Sequence, residues 1–290
     1  MFSEEKILVY GGKIKILVAT HKESSMPDDS MYLPIHVGAE GKTDAEDKPL
    51  DLGYIKDNTG DNISALNPYF CELTGLYWAW KNLDFEYVGL VQYRRFFKGM
   101  YSGGTELADF AISFDELAPM LSEYKIFVPK KRHYFIETIS SHYEHTHDGW
   151  QLEQCGIVIS EKYHEYEKAY KKVLKRRSGH MFNMMIMRKD LLDDYCSWLF
   201  DILFELFKRV GSDGMSAFDQ RYPGRISEVL LNVWLEHGIT EGVFGRRDIK
   251  ELPYVEDVKW GQKIRFFFAA KFLGRKYGES AGMRSRTEKK

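Results

Sequence analysis

Several common signatures are missing from this chain. It contains no G-x-x-x-x-G-K-[ST], no G-x-G-x-x-G and no H-E-x-x-H. Their absence argues against P-loop enzymes, ordinary dinucleotide binders and zincins. No apolar run approaches the ~20 residues that span a bilayer. Cysteine is scarce: Cys71, Cys155 and Cys196 lie in apolar or helical contexts without metal spacing. That fits buried thiols in a reducing compartment better than a disulfide framework. Neither charge dominates, and a formal net charge of -2 excludes a global nucleic-acid footprint. The first residues, M-F-S-E-E-K, place acids before a short apolar run, unlike a signal peptide. The expected location is cytoplasmic.

What is abundant is aromatic and apolar. Hydrophobic residues make up 44% and aromatic residues 15% of the chain, enough for a sizeable core with rings to spare. Lys13–Thr20 (K-I-K-I-L-V-A-T) reads as a buried first strand, Asn67–Asn82 as a helix, and Tyr87–Tyr93 as a second main strand. Further strands are expected at Tyr124–Pro129 and Met181–Arg188, with helices at Leu152–Ser160, Glu161–Lys175, Asp190–Val210 and Ser227–Glu236. Strands alternating with helices predict an α/β fold with a mostly parallel central sheet and a helical C-terminal part. One domain is expected over 1–250, followed by a basic aromatic tail over 251–290.

In an open α/β sheet, ligands collect outside the carboxyl ends of the strands. Arg94 and Arg95 follow the second main strand, where guanidinium groups would grip a phosphate or diphosphate. Thr20, His21 and Lys22 end the first strand, and Tyr93 precedes the arginines. Strand alternation points only one of the two arginines at a ligand while the strand persists; a structural ion pair is the competing role. Asp57, Asp61 and Asn62 belong to a polar stretch suited to hydrogen-bonding a nucleotide, and equally to turn formation and helix capping. The stretch S-H-Y-E-H-T-H-D-G-W carries His142, His145, His147, Asp148 and Trp150. Three histidines at that spacing do not share a helical face, so the segment is a weak metal site. It suits acceptor contacts, with Trp150 as a stacking platform. Asn183 sits in an otherwise apolar strand and must be satisfied by backbone or ligand. In the tail, Phe266, Phe267, Phe268 and Phe272 interleave with Lys263, Arg265, Lys271, Arg275 and Lys276. That is the composition of a basic amphipathic helix on an anionic membrane surface, or of a docked C-terminal helix.

Three passages go further: N-I-S-A-L-N-P-Y-F-C-E-L-T-G-L-Y-W-A-W-K-N with V-G-L-V-Q-Y-R-R-F-F; F-N-M-M-I-M-R-K-D-L-L-D-D-Y-C-S-W-L-F-D-I-L-F-E-L; and R-Y-P-G-R-I-S-E-V-L-L-N-V-W-L. Together they resemble a bacterial family of surface-polysaccharide glycosyltransferases first described only as a domain of unknown function. The resemblance implies a GT-A-like fold. It also implies transfer of a sugar from a UDP-sugar donor, with UDP-galactofuranose as one option, to a lipid-linked oligosaccharide acceptor in capsule, exopolysaccharide or O-antigen synthesis. The tail would then hold the enzyme at the inner face of the plasma membrane.

The GT-A D-x-D is missing from the end of the second main strand. The nearest pattern, Asp84-Phe85-Glu86, precedes that strand. No metal site and no required cofactor are therefore expected, although manganese or magnesium remains compatible with the chemistry. Arg94 and Arg95, with Lys22, would stabilise the departing diphosphate instead. Asp148, His147 and Glu228 are the candidates for the base, in that order. A non-catalytic scaffold subunit that binds sugar or nucleotide is the alternative.

Overall fold

The structure is a computed structural model that describes residues 13–257. Its centre is a nine-stranded sheet with the path β10-β6-β9-β4-β1-β2-β3. The strands on that path are β1 (Ile14–Thr20), β2 (Tyr32–His36), β3 (Ile55–Lys56), β4 (Tyr87–Gln92), β6 (Ile126–Pro129), β9 (Met185–Arg188) and β10 (Ile249–Leu252). Pairing is parallel throughout except at β9, which runs antiparallel to both β4 and β6. Two short strands, β5 (Arg95–Phe97) and β11 (Tyr254–Glu256), branch from the end of β4 as antiparallel partners. A separate two-stranded antiparallel sheet pairs β7 (Arg132–His133) with β8 (Ser178–Gly179).

Every residue of β1 and β4 is buried, as expected of parallel strands covered on both faces. Gly89 of β4 has little room: a Cβ there would meet Ile186 Cγ1 at 2.8 Å and the Met185 carbonyl at 3.0 Å. Its missing side chain lets β9 close against β4.

The helices are α1 (Asn67–Phe70), α2 (Leu73–Asn82), α3 (Phe114–Leu117), α4 (Ile139–Thr146), α5 (Trp150–Lys162), α6 (Glu167–Leu174), α7 (Lys189–Val210) and α8 (Tyr222–Thr240). The long helix α7 packs against α2, α5 and α8. Many of the rings go into this layer. Trp80 stacks on Phe200 at 5.9 Å, and Tyr77 meets Phe200 edge-on at 5.1 Å.

Two elements differ from their sequence reading. The helix expected over 67–82 is broken at Cys71, whose φ of 54° lies in the left-handed region. The strand expected over 181–188 begins only at Met185, because Phe182 and Asn183 take φ of 76° and 53°. The sheet also continues past residue 250, through β11 to Glu256. The basic aromatic tail lies outside the described residues, apart from this short beginning.

Candidate functional site

β1 and β4 run side by side in the same direction, so Thr20 and Gln92 mark one edge of the sheet. A cavity of about 760 Å³ opens beyond Gln92. Its walls come from the β4–β5 turn, the start of α2, the loop before β9, helix α4 and the first turns of α8.

The floor is a network of buried polar groups. Gln92 Nε2 donates to Glu72 Oε1 at 2.8 Å and to the Phe182 carbonyl at 2.9 Å. Asn183 Nδ2 donates to the same Glu72 oxygen at 3.0 Å and to the Gly224 carbonyl at 2.8 Å. Asn183 Oδ1 accepts the Ser227 hydroxyl at 2.7 Å. Arg95 joins from the other side: its Nη1 donates to Gln92 Oε1 at 2.6 Å, and its Nε pairs with Glu256 at 3.1 Å. The guanidinium lies 4.3 Å from the centre of the Phe182 ring. Both amides are committed through nitrogen and oxygen, and buried networks satisfied in this way are rigid.

Glu72 and Glu228 are the two carboxylates of the cavity. Glu228 is pushed up to about 7, first by burial and then by the Glu72 carboxylate. The Phe182 N–H, Arg95 and Arg132 oppose that shift without cancelling it. A carboxyl that titrates near neutrality in a cleft is suited to taking or giving a proton.

The rim is cationic. Arg94 is exposed in the β4–β5 turn and lines the cavity, as does Arg221 just before α8. Among the described residues neither pairs with a carboxylate; Arg221 Nε donates to Cys71 Sγ at 3.1 Å. His21, at the end of β1, feels both. Its imidazole is driven below its ordinary range by burial, then by the charges of Lys22, Arg94, Arg221 and Lys42. Tyr93 ties this corner together, with His21 edge-on at 5.5 Å and Lys22 Nζ 5.2 Å from the ring centre. Such a concentration of positive charge is an anion-binding arrangement.

The sequence candidates thus separate. Arg94, Arg95, His142, His147 and Glu228 line the cavity, and Asn183 lies in its floor. Thr20 is turned inward, its hydroxyl donating to the Lys22 carbonyl at 2.6 Å. Asp57 is fully buried and accepts from the Gly38 and Ala39 N–H groups at 2.8 and 3.1 Å, and from the Ser64 hydroxyl. Asp61 takes the Tyr77 hydroxyl at 3.2 Å, and Asn62 Oδ1 takes the Ser64 N–H at 3.2 Å. These contacts belong to turn and loop packing, away from the cavity.

Asp148 is exposed and accepts the Trp150 N–H at 3.1 Å; neither residue lines the cavity. His142 and His145 share Glu137, at 2.7 and 2.8 Å. His147 is pushed down to about 3 by burial, Arg225 and His142, and is therefore neutral. Glu72 escaped the sequence reading altogether. Its one signal was a lone acid inside an aromatic helix. Among the described residues no group of three or more His, Cys, Asp or Glu side chains is placed to hold a metal ion.

A family model described as a domain of unknown function, DUF4422, matches residues 15–239. The chain belongs to the DUF4422 family. The matched stretch runs from β1 through nearly all of α8, and includes Glu72, Arg94, Asn183 and Glu228. A solved structure titled the apo structure of the WbbM bifunctional glycosyltransferase is similar, at a TM-score of 0.73 and 28% identity. The similarity covers 84% of this chain and 45% of that one, so the chain spans less than half of that protein. No curated protein matches. The mixed α/β architecture of this DUF4422 chain is thus one it shares with a glycosyltransferase structure. No helix among the described residues is long and apolar enough to cross a membrane.

Proposed function

We propose that this protein is a glycosyltransferase of bacterial surface-polysaccharide synthesis, using a nucleoside-diphosphate sugar as donor. The observation that carries this reading is the meeting, in one cavity, of an unpaired cationic rim and a carboxyl that titrates near neutrality. The name of the similar structure and the family membership agree with it.

In this reading Arg94 and Arg221, with Lys22 and His21 beside them, receive the diphosphate. As the bond from the anomeric carbon to the leaving phosphate oxygen breaks, its electron pair stays on the diphosphate. The guanidinium groups then face a fuller negative charge than in the ground state, which is where such contacts accelerate a reaction. Arg95 is a positioning residue: its fork is spent on Gln92 and Glu256, which fixes the β4–β5 turn that presents Arg94. Glu228, as carboxylate, takes the proton of the acceptor hydroxyl while that oxygen bonds to the anomeric carbon. Glu228 thereby replaces Asp148 as the first choice of base, because Asp148 stands outside the cavity.

UDP-galactofuranose is the donor to try first, with a lipid-linked oligosaccharide as acceptor. The basic aromatic tail would hold the enzyme at the inner leaflet. The deciding experiment is calorimetric titration of UDP, in EDTA and then in manganese, followed by a turnover assay with UDP-sugars. Binding in EDTA together with sugar release or transfer supports the reading. Binding that requires manganese would reassign the diphosphate contacts to a metal. Binding without turnover of any UDP-sugar would leave a scaffold subunit.

A further inference from the structure

The polar network and the cationic rim leave one end of the cavity unused. Among the described residues, five buried side-chain nitrogen or oxygen atoms have no hydrogen-bond partner. Two of them, Arg225 Nη1 and His147 Nδ1, belong to residues lining this cavity. Both residues pack on Phe218: the Arg225 guanidinium lies 4.0 Å from its ring centre, and the His147 ring is 5.4 Å away. Arg225 Nη2 is already committed to the Phe218 carbonyl, so Nη1 is the arm left open. Buried donors of this kind are costly unless something meets them.

The surroundings specify what that something is. Arg225 has no ion pair among the described residues, and Arg221, one turn earlier, adds repulsion rather than relief. The 19-residue helix α8 begins here with no side-chain cap and no acid in its first turn. Its dipole favours negative charge at the same place. His147 is uncharged, and in the tautomer that carries its proton on Nδ1 it offers a ring N–H without further repulsion.

We propose that this end of the cavity is an oxyanion subsite for the acceptor, in which Arg225 Nη1 and His147 Nδ1 bind a phosphoryl or carboxylate oxygen. The assignment to the acceptor rests on the donor reading above, in which the diphosphate occupies the Arg94 side. A lipid diphosphate and an acidic sugar would both supply the oxygen.

The test is titration of inorganic phosphate into the full-length protein saturated with UDP. Wild type is expected to bind phosphate as a second event. Arg225→Gln and His147→Gln are each expected to weaken that event by about tenfold or more, with UDP affinity unchanged and cooperative thermal unfolding retained. Farnesyl diphosphate and glucuronate, titrated as competitors, then distinguish the two sources; displacement by neither overturns the assignment to the acceptor. The proposal also fails if UDP-saturated wild type takes up no phosphate, or if Arg225→Gln weakens UDP as much as Arg94→Ala does. If UDP itself does not bind, the donor reading fails separately. Phosphate titration of the free protein still decides the subsite: loss in both variants upholds it, and undiminished binding overturns it.

Discussion

Asn183 and Glu72 stand 111 residues apart in the chain and meet at 3.0 Å beneath the cavity. The contact joins the loop before β9 to the start of α2, and through Ser227 to α8. One amide thereby fixes three walls of the site.

Asn183→Ala should therefore cost more than an ordinary polar deletion. It removes donors from Glu72 and Gly224 and an acceptor from Ser227, and it places a Cβ residue less suited to the left-handed backbone at φ 53°. A loss of about 3 kcal/mol is expected in urea unfolding. Asn183→Gly, which accepts that backbone, should lose less.

Glu228 sets the pH behaviour. Its carboxyl is raised from an ordinary 4.5 to about 7, so the folded chain holds this proton more tightly than the unfolded chain. Its contribution to stability is complete below pH 4.5 and is lost as the pH rises through about 7. Activity should move the opposite way, since a base works as the carboxylate: kcat/KM should rise across neutrality. Glu228→Gln should lower kcat by about 10²–10⁴ and flatten both profiles. An unchanged pH–rate profile in that variant would remove Glu228 from the proton-transfer step.

His21 offers a readout independent of turnover. Burial first and then four cations hold its imidazole low, and an anion settling among those cations would raise it toward its ordinary range. UDP binding near pH 6 should therefore be accompanied by proton uptake, seen as a dependence of the calorimetric heat on the buffer's ionisation enthalpy. Arg94→Ala should weaken UDP by about tenfold at unchanged thermal stability, because the side chain is exposed and carries no ion pair among the described residues.

Gly89→Ala tests the sheet rather than the chemistry. The added methyl meets Ile186 and the Met185 carbonyl at 2.8 and 3.0 Å, so β9 must shift away from β4. A cost of about 2 kcal/mol is expected in chemical unfolding.

β1, β4 and α7 were readable in the sequence because each keeps one period of apolar residues along its whole length. The sheet edge was readable too, since two arginines after a buried strand can only lie at its end. The floor of the site was not. Glu72 follows a backbone reversal at Cys71 that no local pattern announces, and Phe182 and Asn183 bend out of what reads as continuous strand. Asp57 and Asp148 show the converse. Short polar side chains satisfy backbone N–H groups as readily as a ligand, and here they do the former, Asp148 two residues away and Asp57 across to Gly38 and Ala39. Only the packed fold separates those two uses.

Glu72, Gln92, Asn183 and Ser227 come from the start of α2, the end of β4, the loop before β9 and the second turn of α8. No contiguous half of the chain can therefore assemble this floor. A folding intermediate that had closed the sheet but not yet docked α8 would have neither Ser227 under Asn183 nor Glu228 in the cleft. Such long-range closure comes late in folding. Competence for chemistry thus coincides with completion of the fold, and a nascent or partly proteolysed chain would be silent toward its substrates rather than weakly active.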